Sequence, residues 1–314
     1  MMLAGLMNSF GPLIGPIIAG YTSITNWHWM FWIALILAGS NWPMLMFLPE
    51  TFAPVILRGL ELERGPVSGT NPARRNMQEL VNVALTRPMR MFAEPLVLFS
   101  DLILVYQYSI YYLYFEAYQI IFEGPYNMSL GEVALMLLPV GVGGILAMFI
   151  FLWYDHFLQK SKASGKSWAQ QEEYRRLPLA CVGGPLYPIS LFWLGWTARP
   201  SIHWSIPALS GVVFGIGIDL TFMALNNYVT DAYGIYSASA LASSVFSRNI
   251  AAALLIPLGT YRMYNVLGVP WACSLLGFVC IILSPIPFAF IKYGPQLRNR
   301  SNFCQRIEKR REGA

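Results

Sequence analysis

Gly11-Pro12-Leu13-Ile14-Gly15-Pro16-Ile17-Ile18-Ala19-Gly20 is the stretch whose reading decides the fold. It is too apolar for a soluble loop, yet its small residues and two prolines make it a poor helix in water. In lipid every backbone group has to be satisfied within the segment, so helix is the low-energy solution for a single span. Gly11 and Gly15 stand four apart on one face, where missing side chains admit a second helix, and Pro12 and Pro16 each remove a backbone donor. The stretch reads as a kinked, closely packed membrane helix.

The composition around it agrees. Of 314 residues 56% are hydrophobic and only 12% charged, with a mean hydropathy of +0.49. That leaves too little polar surface to clothe a soluble globule, and the fold class is an all-α polytopic membrane protein. About 20 apolar residues are needed to cross the hydrocarbon. Eight segments qualify: Met2 to Thr22, Trp29 to Leu48, Pro95 to Phe122, Leu130 to Tyr154, Leu177 to Trp196, Ile206 to Tyr228, Tyr236 to Thr260 and Val269 to Ile291.

The loops test this division independently, because Lys and Arg collect on the cytoplasmic side. Eighteen of the 21 basic residues fall in three segments of the same side: Glu50 to Arg90, the loop after Tyr154, and the tail from Lys292. Arg199 and Arg262 lie opposite, and Arg248 lies within a span. The central loop and the C-terminus are therefore expected in the cytoplasm. The long loop, rich in Pro and Gly, reads as a linker between helical bundles, with one helical piece at Asn76 to Leu85. A net charge of +5 in this setting belongs to the lipid surface, and nucleic-acid binding is not expected. Cys181, Cys273, Cys280 and Cys304 form no metal-ligand or disulfide pattern, and His28, His156 and His203 sit at separate span ends, so no metal is expected. No cofactor is expected either. A G-x-x-x-x-G-K-[ST] phosphate loop is absent, and no aqueous domain is large enough for ATP, so any active transport by this chain would most simply draw on an ion gradient.

Ionisable residues inside spans are costly, which makes them functional candidates. Asp101, Tyr108, Tyr112, Glu116 and Gln119 recur at helical spacing along one face of the third span. Tyrosine rings offer π faces to a cation, and a buried carboxylate can carry a proton. Asp101 is close enough to the span end to be read as hydrated. Glu116 is read as a proton or cation site, with a purely structural role equally open. Asp219 and Arg248 fall midway through adjacent antiparallel spans and are placed to meet, either as a coupled pair or as a permanent clamp. Asn226 follows Asp219 on the same face and adds to a polar path. Gly141, Gly143, Gly144, Gly211, Gly215 and Gly217 are read as close helix contacts. Asn127-Met128-Ser129 matches a glycosylation sequon, but its short loop argues against modification. No constellation of nucleophile, base and orienting group appears, so an enzyme is not expected.

Several motifs carry a resemblance. Gly11-x-x-x-Gly15-Pro16-x-x-Ala19-Gly20 is similar to the antiporter signature of the fifth helix in the fungal drug:proton antiporters of the major facilitator superfamily. Trp27-His28-Trp29-Met30-Phe31-Trp32, Glu50-Thr51-Phe52-Ala53-Pro54, Phe115-Glu116-Ala117-Tyr118 and Leu191-Phe192-Trp193-Leu194-Gly195-Trp196 resemble later motifs of that family, in order. So do Asn227-Tyr228-Val229-Thr230-Asp231-Ala232-Tyr233, Ser237-Ala238-Ser239-Ala240 and Arg248.

The resemblance implies a major facilitator fold lacking its first four helices. Residues 1–49 would be the last two helices of the N-terminal bundle, 50–92 the central cytoplasmic linker, 93–292 a six-helix bundle and 293–314 a basic cytoplasmic tail. It further implies proton-coupled export of organic cations, drugs or polyamines through the plasma membrane, with the vacuolar membrane as the alternative. Glu116, Tyr108, Tyr112, Asp219, Asn226 and Arg248 would form the proton and substrate pathway, and Gly11, Gly15, Pro16 and Gly20 the antiporter-motif packing. The competing reading is a non-transporting fragment that acts at most as a membrane interaction module.

Overall fold

The computed structural model describes residues 2–47, 49, 56, 86–171, 173–300 and 305. Most of the expected linker, including Asn76 to Leu85, and the tail beyond Arg300 apart from Gln305 lie outside these residues. Among the described residues the elements are helical throughout: α1 (Met2–Thr25), α2 (His28–Met46), α3 (Pro95–Glu123), α4 (Leu130–Leu135), α5 (Leu138–Ala163), α6 (Ser167–Gln170), α7 (Glu173–Thr197), α8 (Ser205–Tyr233), α9 (Ser237–Leu283) and α10 (Ile286–Arg300). The chain forms two compact units, residues 1–20 with 85–314, and residues 21–84. The N-terminal part of α1 thus clusters with the large C-terminal bundle. In the second unit the Asn26 side chain accepts from the His28 backbone N–H at 3.1 Å, at the start of α2.

Among the described residues six segments are long and apolar enough to cross a membrane: Pro95–Glu123, Leu130–Ala163, Glu173–Thr197, Ser205–Tyr233, Ser237–Leu255 and Met263–Arg298. The expected spans at the N-terminus are helices of 24 and 19 residues. The element boundaries differ from expectation in several places, among them an extension of the fourth span to Ala163 and a break of the eighth at Ser284 and Pro285. The fourth span is interrupted at Met136 and Leu137, just before Pro139, which cannot donate to the preceding turn. The α9 run of 47 residues would measure about 70 Å if straight, more than twice the hydrocarbon thickness. It breaks at Gly268, whose φ of 72° and ψ of 163° are open only to glycine, so two arms meet there where the sequence suggests a loop. Helical structure also continues to Arg300, into the stretch expected as tail.

The large unit is assembled on α8, which packs against both α5 and α7. Glycines allow this. A Cβ on Gly143 would overlap the Val212 carbonyl and lie 2.9 Å from the Gly215 Cα, and one on Gly215 would overlap the Val140 carbonyl. On the other side, a Cβ on Gly183 would lie 2.9 Å from the Gly217 carbonyl oxygen. These helices touch backbone to backbone, as small-residue seams in lipid do. Helix α3 is fixed by aromatics: the Tyr114 ring stacks on Phe214 with centroids 3.8 Å apart. Its hydroxyl bonds Ser210 at 2.8 Å, and the Tyr118 hydroxyl donates to the Ala208 carbonyl at 3.0 Å. At one end of the bundle Arg176 pairs with Asp231 at 3.3 Å, and Arg298 with the buried Glu173 at 3.4 Å.

Candidate functional site

Helix α3 has two unlike sides. Tyr111, Tyr114 and Tyr118 are buried toward α8, while Tyr108 and Tyr112 are half-buried and Glu116 and Gln119 exposed. The Tyr108 and Tyr112 hydroxyls lie 3.1 Å apart with rings edge to face at 5.0 Å. One turn on, Glu116 has no hydrogen-bond or ion-pair partner among the described residues, and its charge acts on Tyr264 of α9. Tyr264 in turn donates to the Leu113 carbonyl at 3.3 Å, which ties α9 to the same stretch of α3.

Arg248 of α9 completes this face. Its guanidinium carbon lies 5.2 Å from the Tyr108 ring centre and 5.2 Å from that of Phe222 on α8, a cation held between two π faces. The carboxylate beside it is Asp101, whose charge acts on Arg248 and whose Oδ2 accepts from the Ser247 hydroxyl at 3.4 Å. Asp101 is 2% exposed. Its reading as a hydrated end residue is therefore corrected: α9 covers that turn of α3, and the neighbouring hydroxyl and guanidinium take the place of water.

Asp219 is buried in a different setting. A Cβ on Gly144 of α5 would lie 2.5 Å from its Oδ2, and its charge acts on Tyr111 of α3 and Tyr187 of α7. The Asn226 amide donates to the Phe222 carbonyl of its own helix at 2.9 Å. Of the six pathway candidates, the structure gathers Tyr108, Tyr112 and Arg248 directly, sets Glu116 on the same face, and holds Asp219 among Gly144, Tyr111 and Tyr187. Sequence reading missed Ser247, Phe222 and Tyr264; their polarity or aromaticity is ordinary in a span, and only three-dimensional packing marks them out.

In the glycine and proline stretch of α1, Gly20 is buried, with an added Cβ 2.9 Å from the Leu130 carbonyl oxygen and 3.2 Å from the Gly131 Cα. Leu13 is 3% exposed and fills the space left by Gly141, where an added Cβ would meet it at 3.1 Å. Pro16 is half-buried. Among the described residues nothing beyond the helix's own backbone lies within 4 Å of a Cβ placed on Gly11 or Gly15.

An all-helical chain with this motif order has a matching family model, that of the Major Facilitator Superfamily, over residues 1–256. The chain belongs to the Major Facilitator Superfamily. As a superfamily member with six membrane-length helices it is an integral membrane protein. Among curated relatives, an efflux pump of Gibberella moniliformis is 36% identical over 306 residues, 94% of this chain and 51% of the relative. Polyamine transporter 4 of Saccharomyces cerevisiae is 32% identical over 326 residues, covering 93% and 49%. A Major Facilitator Superfamily multidrug transporter of Aspergillus fumigatus is 34% identical over 293 residues, covering 90% and 48%. The superfamily chain described here thus spans about half the length of the curated relatives it matches. No solved structure matches it significantly.

Proposed function

We propose that this chain belongs to a proton-coupled exporter of amphipathic or cationic small molecules, among them organic cations, drugs or polyamines. The observation that carries the reading is the α3 face, where the exposed Glu116 follows the Tyr108 and Tyr112 pair. A carboxylate next to aromatic π faces attracts an organic cation and can exchange it for a proton. The names of the relatives, an efflux pump, a polyamine transporter and a multidrug transporter, support export and a permissive cationic substrate. Tyr108 and Tyr112 contact substrate, Glu116 binds the proton or the cation, and Arg248 with Asp219 and Asn226 supplies the polar elements of the path. Of the antiporter-motif residues Gly20 packs against Leu130 and Gly131, while Gly11, Gly15 and Pro16 are assigned to packing against a helix outside the described residues.

Residues 1–49 are assigned to the N-terminal bundle, 50–92 to the linker, 93–292 to the C-terminal bundle and 293–314 to the tail. Linker and tail face the cytoplasm, in the plasma or vacuolar membrane. Alternating access then rocks the bundles about a midplane site.

The test is flux of a fluorescent organic cation in vesicles containing this chain, with and without an imposed pH gradient. Gradient-dependent flux above that of empty vesicles is the expected result, and none would overturn the assignment for this chain. Glu116→Gln is expected to remove the dependence on the gradient; unchanged dependence would return Glu116 to a structural role.

A further inference from the structure

Between α3, α7, α8 and the α9–α10 junction lies a cavity of about 30 Å³, lined by Gln107, Tyr187, Thr221, Cys280 and Ser284 among others. Four of its side-chain oxygens, Gln107 Oε1, Tyr187 Oη, Thr221 Oγ1 and Ser284 Oγ, are buried without a well-formed hydrogen bond among the described residues, and of these the Tyr187 and Thr221 hydroxyls face each other. Gln107, Tyr187 and Thr221 are 4%, 5% and 1% exposed. The Gln107 amide is not free to turn away, because its Nε2 donates to the Ile218 carbonyl at 2.6 Å. Gly183 and Gly184 make room for two of the hydroxyls: added Cβ atoms there would lie 2.5 Å from Thr221 Oγ1 and 3.0 Å from Ser284 Oγ.

Each buried, unpartnered polar group costs about 1–3 kcal/mol, and even with the Tyr187 and Thr221 hydroxyls facing each other the Gln107 and Ser284 oxygens around the cavity carry that penalty unless a ligand answers them. The ligand has to donate to the Gln107 oxygen and to donate to or accept from three hydroxyls, within a volume suited to about two water molecules at roughly 10–15 Å³ each. No carboxylate lines the cavity, so a bare cation would find its oxygens without a compensating charge, whereas water fits both the chemistry and the neutrality. We infer that this cavity is a hydrated site of one or two ordered waters inside the bundle.

Cys280 reports on the cavity directly, since its thiol is a lining group. Two chains are prepared, one keeping Cys280 and one keeping Cys273 as the sole cysteine. Cys273 is a buried thiol of the same helix, outside the cavity lining. On transfer to D2O the infrared S–H band of Cys280 is expected to convert at least about tenfold faster than that of Cys273, since hydration removes the need for local opening. Equal rates would overturn the hydrated site. Thr221→Val gives a second reading, because it lowers the Tm if a water is lost. A raised or unchanged Tm would mark a dry cavity relieved of an unpaired hydroxyl and would overturn the site. A Tm that climbs with NaCl and not with choline chloride, and loses that response in Thr221→Val, would replace water by a small cation.

Discussion

The Arg248 guanidinium sits 5.2 Å from the centre of the Tyr108 ring, and that ring also carries a hydroxyl 3.1 Å from the hydroxyl of Tyr112. One side chain therefore makes two separable contributions. Tyr108→Phe keeps the π face and loses the hydroxyl pair, a cost of about 1 kcal/mol. Tyr108→Leu loses both, and the guanidinium contact adds about 0.5–2 kcal/mol. Thermal unfolding of the purified chain in detergent should rank the Tm values parent, Phe, Leu; equal values for the two variants would remove the ring from the account.

Asp101 and Arg248 are electrostatic neighbours on different helices. A double-mutant cycle of Asp101→Asn with Arg248→Gln should give a coupling of about 0.5–3 kcal/mol in unfolding free energy. The matching cycle of Asp219→Asn with Arg248→Gln should give a smaller one, because the Asp219 carboxylate is held against Gly144, on the side of α5. A larger value for the second cycle would restore the pairing that the spacing of the spans suggests.

Glycines of one chain should respond in opposite directions to the same substitution. Gly143→Ala and Gly215→Ala drive a methyl into a neighbouring backbone and should cost about 1–3 kcal/mol each. Gly15→Ala meets nothing within 4 Å and should be neutral or stabilising, by up to about 1 kcal/mol of helix propensity. The comparison is a set of Tm shifts of opposite sign; a loss at position 15 comparable to that at 143 would show an additional contact on α1.

The two ion pairs at the end of the bundle should also differ. The Glu173 side chain is 8% exposed against Arg298, whereas the Asp231 side chain is 33% exposed beside Arg176. Exposed pairs contribute about 0–1 kcal/mol, and removing one partner of a buried pair costs about 3–5 kcal/mol. Glu173→Gln should therefore lower the Tm well beyond Asp231→Asn. Added salt should erase the Asp231→Asn effect first.

Much of the architecture could be read from the chain because lipid imposes a length and a polarity on each span. Pro95 to Phe122 and Leu177 to Trp196 differ from the helices found by at most four residues at an end. The junctions were less legible. Tyr261 to Gly268 reads as a loop because it contains Arg262 and two tyrosines, yet the break falls on the single residue that can adopt φ of 72°. The α3 face was legible because spacing alone places Tyr108, Tyr112 and Glu116 together. The partner of Arg248 was not, because Asp101 and Asp219 stand at plausible depths on different helices, and which one meets Arg248 depends on the rotation of α3 and α8. The cavity was invisible for a similar reason: Gln107, Tyr187, Thr221 and Ser284 are unremarkable in sequence, and their convergence needs three helices and a junction.

The Gly143 and Gly215 contact has a mechanical meaning. Where two main chains touch, there are no side-chain rotamers to exchange, so the seam between α5 and α8 has one register and no nearby alternative. Those two helices can travel through the membrane only as a single plank, and any motion within the bundle is displaced to its outer members, where Gly268 supplies the sole positive-φ position inside a described membrane-spanning helix.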